Sequence, residues 1–68
     1  MTPDEYRETI EKLGLSQVAA ARLLGVDART SRRWASGERE IPPPAVRFLR
    51  YLIATKKTGE QVMRVLDG

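Results

Sequence analysis

The sequence predicts an all-α fold: a compact bundle of five short helices that forms a single domain over residues 1–68. Side chains that can cap a helix N-terminus recur along the chain, and the apolar residues that follow them have helical spacing. Each of the five glycines stands singly at a predicted helix boundary. A chain of this length builds only a small core, so its stability as a monomer is expected to be marginal.

The first helix is expected to begin at Pro3 and to end at Gly14. Thr2 and Glu5 have the spacing of a capping box, and Pro3 suits the first helical position. The apolar residues that follow share one helix face: Tyr6, Ile10 and Leu13.

The next two predicted helices are short and form a motif over about residues 16–36. Ser16 can cap the first of them and Asp27 the second, because each side-chain oxygen can accept a backbone N–H. Gly25 lies where the chain must turn sharply, and Gly37 ends the second helix. A turn this short is typical of a helix-turn-helix.

The second helix of the motif, about residues 28–36, places its basic residues on one face. A helical wheel puts Thr30 and Trp34 on the opposite side, with Ser31 at one flank, so Trp34 is predicted to anchor the core. A basic, small helix face meets the requirement for entering the major groove of DNA. The alternative is a solvated helix face. The residues on the basic side are Arg29, Arg32, Arg33 and Ser36, with Ala28 at its margin.

The stretch from Leu15 to Pro42 resembles the phage-repressor and Cro-like (Xre-type) helix-turn-helix regulators. No single matching element is specific, but their ordered set is. The elements are Leu15-Ser16-Gln17, Ala21, Leu24-Gly25-Val26, Thr30, Arg33-Trp34, Gly37 and Ile41-Pro42. The resemblance implies a repressor-like fold and sequence-specific binding of double-stranded DNA.

The resemblance also implies roles for individual residues. Gln17 matches a glutamine that contacts the DNA backbone and braces the recognition helix, although an exposed helix N-terminus is the alternative there. Ala28 and the three arginines match positions that face base edges or phosphates. The predicted DNA-binding residues are Ser16, Gln17, Ala28, Arg29, Thr30, Arg32, Arg33, Ser36 and Arg39.

Two residues depart from the family pattern. Ser31 stands where an isoleucine or valine is usually buried, which predicts either looser packing or a hydroxyl bonded to its own helix. Ala35 replaces a commonly acidic residue, which we interpret as the removal of a charge that would oppose the phosphates.

Two further helices are predicted over about residues 44–56 and 58–67. Pro44 can open the first, and a capping box over residues 58–61 opens the second. Their apolar surplus either closes the core of the monomer or forms a homodimer interface, which would match a palindromic operator. The predicted interface residues are Phe48, Leu52, Val62, Val65 and Leu66.

The charge distribution and the amino-acid composition indicate which classes of function to expect. The formal charge is +3, with residues 22–39 mainly basic and residues 2–12 mainly acidic, which suits a phosphate-facing surface with an acidic back. The chain contains no cysteine and no histidine, so we expect no disulfide, metal site, cofactor or enzymatic activity. No apolar run is long enough to span a membrane and no signal peptide opens the chain, so a cytoplasmic location is expected.

Three functions are compatible with these observations. The first is a DNA-binding regulator, most simply a repressor of prophage, plasmid or operon type. The second is the antitoxin of a toxin–antitoxin pair, which binds its own operator and also a toxin through the last helices. The third is a protein–protein adaptor that keeps the fold without binding DNA, and loss of the basic face would favour it.

Overall fold

The computed structural model describes residues 1–55, 61 and 64–66, and within these ranges the chain is helical with no strand. The helices with defined bounds are α1 (Pro3–Lys12), α2 (Gln17–Leu24), α3 (Ala28–Ser36) and α4 (Pro43–Ala54). Residues 61 and 64–66 are also helical, while the rest of the predicted last helix lies outside the described residues. The radius of gyration is 10.8 Å, close to the ~11 Å expected for a compact chain of this length. The all-α prediction is confirmed.

The predicted N-caps of the first three helices are confirmed. Thr2 and Glu5 form a reciprocal capping box, with each side chain bonded to the other residue's backbone N–H at 3.1 Å. Ser16 Oγ accepts the Ala19 N–H at 3.1 Å, and Asp27 Oδ1 accepts the Thr30 N–H at 2.7 Å. Each bond pairs a donor that the helix itself leaves unpaired, so these residues fix where the helices begin.

The fourth helix begins one residue earlier than predicted, at Pro43, and its N-cap is Pro42. Both Pro43 and Pro44 lie in the first turn, where a backbone N–H has no partner to lose. The helix ends at Ala54, and the Thr55 hydroxyl then donates to backbone carbonyls of the last turn.

The two predicted glycine turns are confirmed. Gly25 and Gly37 have φ angles of +72° and +86°, in the left-handed region that residues with a Cβ rarely adopt. A Cβ on Gly37 would also lie only 3.2 Å from Pro3 Cγ. The chain therefore reverses sharply on both sides of α3.

The core lies where α3 packs on α1 and α2, and α4 closes it against α1. The rings of Tyr6 and Trp34 meet edge to face, with centroids 5.8 Å apart. Such a pair stabilises by about 0.5–1.5 kcal/mol beyond the area that it buries. The buried apolar residues are Tyr6, Ile10, Leu13, Ala20, Ala21, Leu23, Trp34, Ala35, Leu49 and Leu52.

One predicted dimer contact is wrong. Leu52 is only 2% exposed and belongs to the core of the single chain, so it is not available to a second copy. The reason is helical periodicity: Leu49 and Leu52 share the inward face of α4, whereas Tyr51 and Ile53 are exposed. Val62, another predicted contact, lies outside the described residues.

Ser31 is fully buried. One of the two predictions for this residue, a hydroxyl bonded to its own helix, is wrong. Instead, Ser31 Oγ and the phenolic oxygen of Tyr6 are hydrogen-bonded at 2.6 Å, which joins α3 to α1. Burial raises the pKa of the Tyr6 phenol above its ordinary value of 10.0, so the hydroxyl stays protonated at neutral pH. Among the described residues, no buried side-chain nitrogen or oxygen lacks a hydrogen-bond partner.

We expect Tyr6→Phe to lower the free energy of unfolding by about 1–3 kcal/mol, because it leaves the buried Ser31 hydroxyl without a partner. The double variant Tyr6→Phe, Ser31→Ala removes both polar groups and should recover part of that loss. Tyr51→Phe, at a residue that is 56% exposed, is the matched control and should change stability by less than ~0.5 kcal/mol. Urea denaturation measures all three, and equal stability of the Tyr6 and Tyr51 variants would contradict the role given to this bond.

Candidate nucleic-acid interface

The helical wheel predicts that the arginines of α3 lie on its outward side and that Trp34 lies on its inward side. The two sides differ in burial in this way. Trp34 is 4% exposed and anchors the core, whereas Arg29 and Arg32 are exposed and Arg33 is half-buried. Because the inward side is fixed to α1 and α2, the arginines are held on the outside of the motif.

These arginines share one surface concavity of about 440 Å³ with two other side chains. Its lining residues are Arg29, Arg32, Arg33, Ser36 and Glu38. Four of the five were predicted from the sequence as DNA-binding residues. We call this surface the arginine face. It is open and positively charged, which are the properties needed to accept phosphates and the edges of bases.

Glu38 was missed by the sequence analysis. Its Oε2 lies 3.7 Å from Arg33 Nε, which is an ion-pair distance and too long for a hydrogen bond. Gly37 turns the chain back, and the Arg39 N–H donates to the Arg33 carbonyl at 3.3 Å. The sequence contained a signal for Glu38, because this acid directly follows the glycine at the predicted end of a basic helix.

The other predicted DNA-binding residues do not line the arginine face. Ser16 and Gln17 lie at the start of α2, where the Ser16 hydroxyl is used as a cap and Gln17 is half-buried. Ala28 and Thr30 are half-buried in the first turn of α3. Arg39 is exposed, but it lines a separate depression with Met1, Pro3, Trp34, Gly37, Glu40 and Ile41.

The interpretation of Ala35 as relief of charge repulsion is wrong. Ala35 is 3% exposed and lies in the core, so a side chain at this position does not face the surface that carries the arginines. The Ala35 carbonyl accepts a hydrogen bond from Arg7 Nη1, and the same guanidinium pairs with Asp4. Arg7 therefore ties the C-terminal end of α3 to α1 and complements the negative end of the helix dipole.

A second surface is an apolar groove. None of its lining residues belongs to the arginine face, although α3 contributes Trp34 to it. Phe48 is half-buried in it, and Leu66 is 60% exposed at its edge. Val65, the residue before Leu66, is also a predicted dimer contact. It is 79% exposed but does not line the groove. The groove, of about 430 Å³, is lined by Leu23, Leu24, Val26, Trp34, Pro42, Pro44, Ala45, Phe48 and Leu66.

The N-terminus of α3 carries one carboxylate, that of the capping residue Asp27. Its hydrogen bonds from the side chain and backbone N–H of Thr30 lower the pKa of Asp27 below its ordinary value of 3.8, and Arg33 and Arg29 add to the effect. The pKa of Asp27 is lower in the folded state than in the unfolded state. The Asp27 carboxylate therefore stabilises the fold at pH values above its ordinary pKa, and this stabilisation is lost as the pH falls through the lowered pKa.

We expect Asp27→Asn to keep the cap at neutral pH, since asparagine caps as well as aspartate, and to lose less stability than the wild type on acidification. Asp27→Ala should be less stable than both at neutral pH, because it removes the cap. Thermal midpoints measured by circular dichroism at about pH 6 and about pH 2.5 test this. Every other source of acid loss is common to the three proteins, so an identical loss of stability in the wild type and Asp27→Asn would contradict the account.

Within the described ranges, no group of three or more histidine, cysteine, aspartate or glutamate side chains is arranged to hold a metal ion. No helix in the described part of the chain has the length and apolar character needed to cross a membrane. No family model, curated protein or solved structure matches this chain.

Proposed function

We propose that this protein binds double-stranded DNA in a sequence-specific manner through α3 and acts as a transcriptional regulator, most simply as a repressor. The observation that carries the proposal is the arginine face: the exposed Arg29 and Arg32 and the half-buried Arg33 lie on one side of a helix whose other side is fixed in the core. On this proposal the fold is of the repressor-like helix-turn-helix type, and α3 is the recognition helix.

The dimensions support this proposal. An α-helix with its side chains is about 10–12 Å across, and the major groove of B-DNA is about 12 Å wide. A helix of nine residues is about 14 Å long and spans about four base-pair steps. Arginine can bond O6 and N7 of guanine in a bidentate manner, and it can also neutralise phosphates.

The distribution of charge supports the same orientation. α1 packs against the buried side of α3 and carries exposed acidic side chains. DNA approaching the arginine face therefore meets cations first, with the acids of α1 behind them. The exposed acids of α1 are Asp4, Glu5, Glu8 and Glu11. A repressor of prophage, plasmid or operon type acts where the DNA is, which places it in the cytoplasm.

We further propose that the protein acts as a symmetric homodimer on a palindromic operator. Val65 and Leu66 are 79% and 60% exposed, and Leu66 borders the apolar groove that also contains Phe48. A core as small as this one gains stability from association. A two-fold axis would set the two recognition helices about 34 Å apart, one turn of the duplex.

The base-readout prediction concerns Arg29 and Arg33, which lie one helical turn apart. We expect Arg29→Ala and Arg33→Ala each to cost about 1–3 kcal/mol of binding and to relax the preference at one base pair. Gln17→Ala should weaken binding to all duplexes alike, because contacts with phosphates carry no sequence information. Selection of bound duplexes from a random pool gives the preference of each variant. Preferences that match the wild type in both arginine variants would contradict readout by the arginine face.

The dimer prediction concerns Val65 and Leu66. We expect Val65→Lys, Leu66→Lys to dissociate the dimer, leave the helix-turn-helix folded and lower affinity for the full operator steeply, because the two half-sites are no longer bound together. Val65→Ser, Leu66→Ser is the control without added charge and should behave in the same way. Light scattering and anisotropy measure the two effects. A monomeric wild type at micromolar concentration that binds an isolated half-site tightly would contradict the dimer.

A further inference from the structure

Among the described residues, Glu38 is the only acidic side chain that lines the arginine face, and it lies beside one of the three arginines. Its carboxylate is 3.7 Å from Arg33 Nε, whereas Arg29 and Arg32 form no ion pair with any other described residue. The side chain of Arg33 is 31% exposed and that of Glu38 is 69% exposed. Glu38 is therefore in open solvent, and its position is set by the turn at Gly37.

The side of the guanidinium on which Glu38 lies determines what Arg33 can still bind. The Nε–H belongs to the stem side of the guanidinium, and the two terminal amino groups form its outer edge. A carboxylate beside Nε covers the stem side and leaves the outer edge open. That edge presents two parallel N–H donors, which match the O6 and N7 acceptors of guanine.

The charge of Glu38 acts in the same direction. A carboxylate at the edge of a DNA-binding surface repels phosphates, so it weakens binding to every duplex regardless of sequence. A contact with a base edge is less affected, because base edges carry no net charge. Discrimination is a difference of affinities, so a group that weakens the contact of Arg33 with phosphates more than its contact with a base edge increases it.

We propose that Glu38 is a positioning residue for DNA recognition: it orients Arg33 for bidentate contact with a guanine and disfavours the contact of Arg33 with phosphates. This inference rests on the proposed function. It assigns base readout to Arg33 in particular, and it makes the acid after Gly37 a determinant of sequence preference although it does not itself contact a base.

The test compares Glu38→Gln with Glu40→Gln. Each substitution removes one exposed negative charge within the same segment, but Glu40 lies outside the arginine face and makes no ion pair among the described residues. Anisotropy titrations give the affinity of each protein for the duplex that the wild type selects and for a random duplex of equal length. Both variants should bind random DNA more tightly than the wild type, because each carries one more net positive charge.

Only Glu38→Gln should lose discrimination. We expect its ratio of selected to random affinity to fall by about fivefold, the low end of what one bidentate arginine–guanine contact supplies. Its preference should broaden at the base pair that Arg33→Ala also affects, and Glu38→Gln should have no further effect on discrimination in the Arg33→Ala background. Thermal unfolding should be unchanged, so a purely structural role would not produce this pattern.

Two results would overturn the inference in distinguishable ways. If the wild type selects a duplex but Glu38→Gln and Glu40→Gln have the same discrimination ratio, then Glu38 acts only through net charge and the inference fails alone. If the wild type shows no preferred duplex at all, the proposed function fails and the inference fails with it.

Discussion

The contact between α1 and α3 is the constraint on which the rest of this structure depends. Tyr6 meets α3 twice, through its hydroxyl at Ser31 and through its ring at Trp34, and Arg7 bonds the Ala35 carbonyl near the end of the helix. Hydrogen bonds between buried groups require a specific geometry, unlike apolar contacts, so they fix the rotation of α3 about its own axis. That rotation decides which side chains of α3 face outward.

The arginine face follows from this constraint at little cost to stability. Arg29 and Arg32 remain in solvent, Arg33 is only half-buried, and its pair with the exposed Glu38 adds at most about 1 kcal/mol. Stability instead comes from a small apolar core, three side-chain N-caps and three left-handed glycines at the ends of α1, α2 and α3. The residues that hold the fold together and those proposed to contact DNA are thus almost separate sets, and they meet at α3.

Local signals were enough to predict most of the fold. Each cap at Thr2, Ser16 and Asp27 involves residues three positions apart, so a sequence pattern contains the whole interaction. The bond between Tyr6 and Ser31 joins residues 25 apart and depends on how two helices pack, which no local pattern specifies. Leu52 belongs to the apolar surplus of the predicted helix over residues 44–56, and the sequence pattern does not specify whether its own chain or a second copy covers it. Glu38 was missed because it follows the helix and so has no place on the wheel of α3.

The salt dependence of duplex binding tests the central claim most directly, because each arginine that neutralises a phosphate of DNA releases counterions. The measurement is an anisotropy titration of the wild type against its selected duplex in 50–200 mM salt. A dimer that neutralises about six to ten phosphates should lose 10³–10⁵ in affinity over that range. An affinity that does not change with salt would contradict the assignment of α3 as a DNA-binding helix.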